Sequence, residues 1–447
     1  MEPVLAVTLD GPTHSFCPWG IPLSASPSTP QGASVSLVAI VALGHCAAFV
    51  DRSLAGVAAP LLKANLGLSD AQLGLLDGPA FVLLYAIGML ASWPLANSQY
   101  RFRLLAGCIA TWTLGMTIFA LGRSLETLMA ARALVGLGQS AYVPLALGLI
   151  VEYSTSQWRG RSVAAFTAAA AAGRSLALLL GGLVLTLLAR WVPAVGFEHW
   201  RLLFLMMAAP NVSLIAMLLG RVEQPPTQRS SSAFFHPLLA SVRQQPGPMG
   251  AYLCGASAAV LVIQTVGIWA PSVLHREHGL AVGTAALVFG LALLFAAPVG
   301  HLLAGTLVDK RGKRVTPLVV VASALLLTIP LLRAVPQASS ATMACGLLAL
   351  ISLVGATAAV AALTGLPSVL PPPLREPGLR LFLVFVNLLG LGLGPFVAGL
   401  VSDGLGAGGR GLSTALYMVC ASAAVAGVTA ALCVRLDWSG GKAEVAP

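Results

Sequence analysis

Gly305-Thr-Leu-Val-Asp309-Lys310-Arg311-Gly312-Lys313-Arg314 is a short basic stretch between two long apolar runs. Four cations and one carboxylate fall within it, and apolar sequence resumes at Val315. A connection this short predicts two helices that lie side by side and antiparallel. Because Lys and Arg are concentrated in the cytoplasmic loops of membrane proteins, the cations predict a cytoplasmic turn.

Three other residues of this stretch predict a gate. Asp309 is placed to meet the positive N-terminus of a neighbouring helix, near Gly160. Gly305 and Gly312 remove side-chain bulk where helices approach each other. The pattern Gly-x-x-x-Asp-(Lys/Arg)-x-Gly-(Lys/Arg)-(Lys/Arg) resembles the loop signature of the major facilitator superfamily. An ordinary positive-inside loop accounts for the charge, but not for the carboxylate and both glycines.

The composition is that of a polytopic membrane protein. Of the 447 residues, 57% are hydrophobic and 9% are charged, and the mean hydropathy is +0.88. The apolar runs are continuous rather than alternating, which disfavours a β-barrel. The net charge of +10 does not indicate a nucleic-acid partner, because the cations are scattered over short loops. Six of the seven cysteines fall inside apolar runs and are interpreted as small core residues: Cys46, Cys108, Cys254, Cys345, Cys420 and Cys433.

The order of segments predicts six helices, a linker and six more helices. Residues 1–33 lack the basic start of a signal peptide and are expected to be a disordered cytoplasmic tail. Apolar runs near 35–62, 71–95, 103–122, 126–152, 160–190 and 199–220 form one bundle, 34–220. A cytoplasmic linker, 221–248, separates it from a second bundle, 249–436, with runs near 249–274, 281–308, 315–334, 340–370, 377–402 and 412–435. Residues 437–447 form a C-terminal tail.

The distribution of cations predicts the orientation. Fifteen of the 25 Lys and Arg residues fall on the side of the termini, and seven fall on the opposite side. This excess places both termini in the cytoplasm. The connection Ala91–Arg103 stands in the first half where Gly305–Arg314 stands in the second, so Asn97 and Arg101 join the predicted cytoplasmic gate.

Five stretches carry a more specific resemblance. They are Phe49-Val-Asp51-Arg52, Gly67-Leu-Ser-Asp70-Ala-Gln-Leu-Gly74-Leu-Leu, Arg132-Ala-Leu-Val-Gly136-Leu-Gly138-Gln139, Trp269-Ala-Pro271-Ser-Val-Leu-His-Arg276-Glu-His-Gly279-Leu and Asn387-Leu-Leu-Gly390-Leu-Gly392-Leu-Gly394-Pro395. Over residues 40–405 the chain resembles the Spinster-like branch of the major facilitator superfamily. The resemblance implies an all-α membrane protein with twelve transmembrane helices in two six-helix halves. One central cavity would open alternately to either side. Eukaryotic relatives are similar to exporters of lysolipids and sphingoid phosphates, and bacterial relatives mostly have no assigned substrate.

Two positions depart from the pattern of that branch. Gln139 stands where a Glu is usual, and Gln does not titrate near neutral pH. Asn97-Ser98 stands where Asp-Arg is usual. If the usual Glu carries a coupling proton, either Asp51 works alone, or transport is uncoupled or differently coupled. With Asn97 uncharged, we expect an asymmetric gate that opens inward more easily.

Charges in the spans predict the cavity, because an intramembrane charge costs several kcal/mol unless it is paired or wetted. Asp51 is expected to take and release a proton, and Arg52 to set its pKa or meet an anion. Adjacent helical residues diverge by about 100°, so Arg52 is expected to find a partner on another helix. A structural ion pair that never titrates is the alternative.

Arg132 and Gln139 are seven residues apart and share a helix face. Arg132 either binds an anionic head group or neutralises Asp51, and Gln139 can hydrogen-bond a substrate. Arg174, in an Ala-rich helix, is assigned to the cavity rather than to snorkelling. Weaker cavity candidates, each more often a packed polar residue, are Asn387, Gln264, Tyr85, Tyr142 and His45. The segment from Gly390 to Pro395 is expected to bend during gating.

Together these features predict a secondary transporter of a small amphipathic or anionic molecule, such as a lysolipid, an organic anion or a drug. Proton coupling through Asp51 is one option, and an uncoupled facilitator or a transport-dead sensor is another. We expect a monomer in a plasma or bacterial inner membrane. The sequence has no Gly-x-x-x-x-Gly-Lys-(Ser/Thr) loop for ATP, no metal spacing and no cofactor motif, so an enzyme is the weakest interpretation.

Overall fold

The structure is a computed structural model that describes residues 31–155, 157–192, 197–223, 246–310, 317–369, 375–406 and 409–433. Twelve helices of these ranges are long and apolar enough to cross a membrane. Helices suit this setting because all their backbone hydrogen bonds are made within the segment, where lipid offers no partner. The predicted fold class, with six helices in each half, is confirmed.

The first half contains α1 to α6. Their bounds are α1 Gln31–Leu66, α2 Asp70–Ala91, α3 Arg101–Leu121, α4 Leu125–Tyr153, α5 Arg159–Trp191 and α6 His199–Leu219. Two of them are interrupted: α2 comprises Asp70–Asp77 and Pro79–Ala91, and α4 comprises Leu125–Ser140 and Tyr142–Tyr153. A short 3-10 helix, Trp93–Asn97, lies between α2 and α3. Helix α1 begins within the stretch assigned to the tail.

The second half contains α7 to α12. Their bounds are α7 Pro246–His278, α8 Val282–Lys310, α9 Pro317–Ala334, α10 Ala341–Val369 and α12 Gly411–Cys433. Helix α11 consists of Arg375–Val386, a π-helix Asn387–Leu393 and Gly394–Leu405. A 3-10 helix, Val335–Gln337, follows α9. Residues 1–30, most of the predicted linker and the C-terminal tail lie outside the described residues.

The irregular parts of α2 and α11 meet each other in the middle of the molecule. Gly78 ends the first part of α2, and Pro79, which has no N–H to lose, begins the second. A β-carbon at Gly78 would overlap the backbone carbonyl of Gly392 in the π-helix. The segment of α11 that is predicted to bend during gating overlaps this π-helix, and π-helical turns are frequent at functional sites.

The two halves pack closely at one end, which we call the Asp70 end. The beginning of α2 packs there against the last part of α11, and α5 packs against α8. Gly182 of α5 and Gly283 of α8 lie against each other's backbone, so side chains at either position would force these helices apart. At the opposite end, Gly160 and Gly305 have no neighbouring atom within 4 Å of a β-carbon position. The prediction that Gly305 lies at a close helix contact is wrong for this conformation.

Candidate functional site

A cavity lies between the two halves in the middle of the molecule. The cavity is narrow in this conformation, and about 30 Å³ of it is open to the centre of a water-sized sphere. Side chains of both halves line it. From the first half these are Phe49, Arg52, Ser53, Asp77, Arg132, Arg174 and Leu178, and from the second half Gln264, Gly267, Ile268 and Leu391. Of the lining residues that the structure describes, all the charged ones belong to the first half.

Arg132 forms a buried ion pair with Asp77. The Arg132 Nη2 lies 3.1 Å from the Asp77 Oδ1, and the two side chains are 2% and 4% exposed. The same guanidinium donates to the backbone carbonyls of Leu76 and Arg52, at 3.1 and 3.3 Å. Arg132 is therefore neutralised by Asp77, and its predicted pairing with Asp51 is wrong. The interruption of α2 at Gly78 follows directly after the carboxylate that forms this pair.

Arg52 is held by neutral groups. Its Nε and Nη2 donate to the Gln139 Oε1 at 3.1 and 3.0 Å. The Gln139 Nε2 donates in turn to the carbonyl of Ala48 at 3.0 Å, which orients the amide. The Arg52 guanidinium also lies over three aromatic rings: Phe49 and Phe81 at 4.6 Å and Tyr85 at 5.1 Å. Within the described part of the chain, Arg52 forms no ion pair with a carboxylate.

Arg174 lies in the cavity wall beside Phe49. Its guanidinium lies 5.8 Å from the Phe49 ring centre and is half-buried. The structure shows no hydrogen bond or ion pair from Arg174 to any residue it describes. Because Arg52 and Arg174 both lie over Phe49, their guanidinium carbons are no more than about 10 Å apart. Two cations without carboxylate partners thus face one cavity.

Asp51 does not line the cavity. Its carboxylate is 1% exposed and accepts a hydrogen bond from the Asn211 Nδ2 of α6 at 2.7 Å. The Asn211 Oδ1 has no hydrogen-bond partner among the described residues, and the indole of Trp112 lies near the Asp51 carboxylate. The expected divergence of neighbouring helical residues accounts for this placement, because it turns Arg52 toward Gln139 and Asp51 toward α6. The prediction that Asp51 is a cavity residue is wrong for this conformation.

The weaker candidates fall into two groups. Gln264 lines the cavity. Tyr85 contacts the lining residue Arg52, whose guanidinium lies over its ring. The other three are packed polar residues, the alternative stated for them from the sequence. His45 Nδ1 lies 2.9 Å from the carbonyl of Phe166, Tyr142 donates to the carbonyl of Val41 at 3.0 Å, and Asn387 donates to the carbonyl of Leu383 at 2.7 Å.

Most of the predicted gate lies outside the described residues. This applies to Arg311, Gly312, Lys313 and Arg314, and to the side chains of Asp309 and Lys310. In the first half, Asn97 ends the 3-10 helix, and Arg101 donates to the Glu152 Oε2 at 2.6 Å. Glu223 accepts from the backbone amides of Phe102 and Arg103 at 3.2 and 2.8 Å. This edge lacks a carboxylate at position 97, but Glu152 and Glu223 supply carboxylates from elsewhere in the same half.

The Asp70 end is held together by charges that cross between the halves. The Asp70 carboxylate accepts from Arg276 of α7 at 2.9 and 2.8 Å and from the Ser402 hydroxyl of α11 at 2.6 Å, and it pairs with Lys63 of α1. In the other direction, Asp403 accepts from the first backbone amides of α2, at 3.0 and 2.8 Å. A carboxylate at a helix N-terminus satisfies amides that have no partner within the helix.

Sequence reasoning missed three of these residues. Asp77 and Asn211 are polar residues inside apolar runs, and a charge within a membrane span such as Asp77 is by itself a signal for a functional or paired residue. Asp70 belongs to one of the five stretches with the family resemblance, but the pattern alone does not indicate its role. The capping pattern Ser69-x-x-Gln72, which the structure shows as a capping box, was a signal that places Asp70 in the first turn of α2.

The chain matches the family model described as Major Facilitator Superfamily over residues 41–388. It belongs to that superfamily. It is 27% identical over 409 residues to an MFS-type efflux pump of Mycolicibacterium smegmatis, covering 87% of this chain and 90% of that protein. Superfamily members are membrane transporters of small molecules, and this chain is an integral multi-pass membrane protein.

The predicted resemblance to Spinster proteins is also confirmed. The chain is 25% identical over 264 residues to human Protein spinster homolog 1, covering 55% of this chain and 47% of that protein. Its fold matches the inward-facing, unoccupied crystal structure of a bacterial homologue of the human lysosomal transporter Spinster. The TM-score is 0.79 and the identity 23%, over 91% of this chain and 96% of the other.

Proposed function

We propose that the protein carries an amphipathic organic anion across the membrane by alternating access. The observation that carries the proposal is the pair of arginines without carboxylate partners, Arg52 and Arg174, in the wall of the central cavity. A charge at membrane depth is unfavourable without a partner. An anionic group of the substrate supplies that partner, and a guanidinium holds it with several hydrogen bonds.

The rest of the lining favours an apolar body on the substrate. Phe49, Leu178, Ile268 and Leu391 cover the cavity beside the two cations. Ser53 and Gln264 add neutral hydrogen-bonding groups. A binding site that combines apolar walls with a few placed polar groups is typical for small molecules. The predicted lysolipids, organic anions and anionic drugs all combine an anionic head with an apolar body.

The closed Asp70 end supports an alternating-access mechanism. Charges of Asp70 and Arg276 hold the halves together there, while Gly160 and Gly305 at the opposite end have no close neighbours. In our proposal, the Asp70 end faces away from the cytoplasm and both termini are cytoplasmic. The protein acts as a monomer in a bacterial inner membrane.

Proton coupling through Asp51 is a second candidate. It is favoured by one observation, the Asp51 carboxylate, which is buried and forms no ion pair with a cation in the described structure. A proton on this carboxylate would change the charge of α1 directly beside Arg52. Flux that depends on a pH gradient, and that loses this dependence in Asp51→Asn, supports coupling. Flux that is indifferent to both excludes it.

The proposed function is tested with a matched pair of solutes in proteoliposomes. Octanesulfonate is an ionised amphipathic anion, and octanesulfonamide has the same chain with a neutral head. We expect protein-dependent flux of radiolabelled octanesulfonate and little flux of the sulfonamide. Flux of neither solute contradicts the proposal, and binding without flux favours the sensor.

A further inference from the structure

The cavity carries more positive charge than negative charge. Three guanidinium groups and one carboxylate line it, and the carboxylate of Asp77 is paired with Arg132. Arg52 and Arg174 remain without a carboxylate among the residues described. Asp51 directly precedes Arg52 in sequence, but its carboxylate lies on another side of α1, against Asn211. Among the described residues, the second half contributes no Lys, Arg, Asp or Glu side chain to the lining.

This imbalance matters most when the cavity closes. An open cavity lets water solvate the two guanidinium groups. During alternating access both ends are closed for a time, and the cations then lie in a low-dielectric interior with little water. An empty cavity therefore closes less favourably than one that holds an anion.

Gln139 contributes to the imbalance. Its Oε1 accepts two hydrogen bonds from Arg52, at the position where the Spinster-like pattern usually has a Glu. A carboxylate in the same place would neutralise Arg52 without a substrate. The amide satisfies the hydrogen bonds of Arg52 but leaves its charge.

We propose that this protein is an anion exchanger, in which the loaded carrier reorients quickly and the empty carrier reorients slowly. The inference rests on the proposed function, because it needs an anion in the cavity. It adds the mode of coupling. After one anion leaves on one side of the membrane, a second anion binds there before the cavity opens again to the other side. The exchanged solutes belong to one class, amphipathic organic anions.

The test compares exchange with net uptake. Proteoliposomes are loaded either with unlabelled octanesulfonate or with octanesulfonamide, and uptake of radiolabelled octanesulfonate is followed. We expect initial uptake to be faster by on the order of 10-fold into vesicles that contain octanesulfonate, because return of the empty carrier is limited by the cost of its buried charge. Equal uptake in the two preparations contradicts exchange but leaves the proposed function intact. Uptake in neither contradicts the proposed function itself.

Two variants lower the uncompensated charge by one in different ways. Gln139→Glu gives Arg52 a carboxylate, and Arg174→Gln removes a guanidinium that has no partner in the described structure. Each is expected to reduce the ratio of exchange to net uptake by about 3- to 10-fold. Arg190→Gln is the matched control, since Arg190 is an exposed arginine of the same helix, α5, that stacks on Trp191. A ratio unchanged in both variants, with protein in the vesicles, contradicts the inference.

Discussion

The two halves of the molecule contribute differently to the cavity and similarly to the closed end. The first half gives the cavity Arg52, Arg132, Arg174 and Asp77, while the second half gives it Gln264 and apolar groups. At the Asp70 end both halves supply charges that bind across the interface. Under the proposed function, the charged first half would supply the contacts to the anionic group, and the second half would supply mainly apolar contacts.

The largest expected effect is on the free energy of unfolding, when a cavity residue of each half is replaced by alanine. Asp77→Ala leaves Arg132 buried without its counterion and should lower the free energy of unfolding by about 3–5 kcal/mol. Gln264→Ala, in the opposite wall, should change it by less than about 1 kcal/mol. Thermal unfolding in detergent, followed by tryptophan fluorescence, checks both.

A second substitution separates charge pairing from simple loss of packing. If the unpaired guanidinium causes the loss, Asp77→Ala combined with Arg132→Leu should be more stable than Asp77→Ala alone. A double variant that is less stable than the single one would show that Asp77 stabilises the fold in another way.

The next largest effect is expected in anion affinity. Arg174→Gln should raise the Kd for octanesulfonate by about 10- to 100-fold, the range for one hydrogen bond to a charged group. The melting temperature should hardly change, since Arg174 satisfies no other group in the described structure. Arg190→Gln, on the same helix, should bind like the native protein. Equal Kd values for the two variants would refute a role of Arg174 in binding.

The third prediction concerns the equilibrium between the closed and open forms of the Asp70 end. Asp70→Asn removes the charge that binds Arg276 and should shift the ratio of closed to open forms by roughly 10-fold toward opening. Spin labels at the exposed residues Glu126 of α4 and Ser340 before α10 report the distance between the halves at this end. In Asp70→Asn, we expect a larger fraction of molecules with a long distance between the two labels than in the native protein.

A control for this experiment uses a carboxylate that does not cross between the halves. Glu277 accepts from the amide of Ser413 within the second half. Glu277→Gln should leave the distance distribution unchanged. If Asp70→Asn gives the same distribution as Glu277→Gln, the charges of Asp70 do not hold this end closed.

The smallest effect is expected from the polar group of the second half. Gln264→Ala should raise the Kd for octanesulfonate by about 2- to 5-fold, as for one neutral hydrogen bond. An increase as large as that of Arg174→Gln would contradict the unequal division between the halves. Isothermal titration of both variants in parallel provides the comparison.

The fold could be predicted from the sequence because each apolar run must bury its backbone in its own helix. The twelve runs predict the helix boundaries within several residues. The side-by-side packing predicted for the helices on either side of Asp309 is wrong, because α8 packs mainly against α5 and α10, and α9 packs mainly against α10 and α12. The breaks in α2 and α4 were not predicted. The interruption at Gly78 depends on its contact with the backbone of α11. The residues around Gly78 do not reveal that contact, because α11 lies far away in the sequence.

The candidate site could be predicted only in part. Arg52, Arg132, Arg174 and Gln264 were placed in a cavity from the sequence, and in the structure they line one. Their role in binding stays a prediction. Asp51 was misplaced because composition does not fix the rotation of a helix about its axis. That rotation depends on partners such as Asn211, which is 160 residues away in sequence.

The most direct test of the account is the charge dependence of binding to the protein in lipid nanodiscs. Isothermal titration compares octanesulfonate with octanesulfonamide, with the signal of empty nanodiscs subtracted. If the unpaired arginines of the first half make the cavity an anion site, the sulfonate binds at least about 10-fold more tightly. Equal affinities for the two solutes would contradict it.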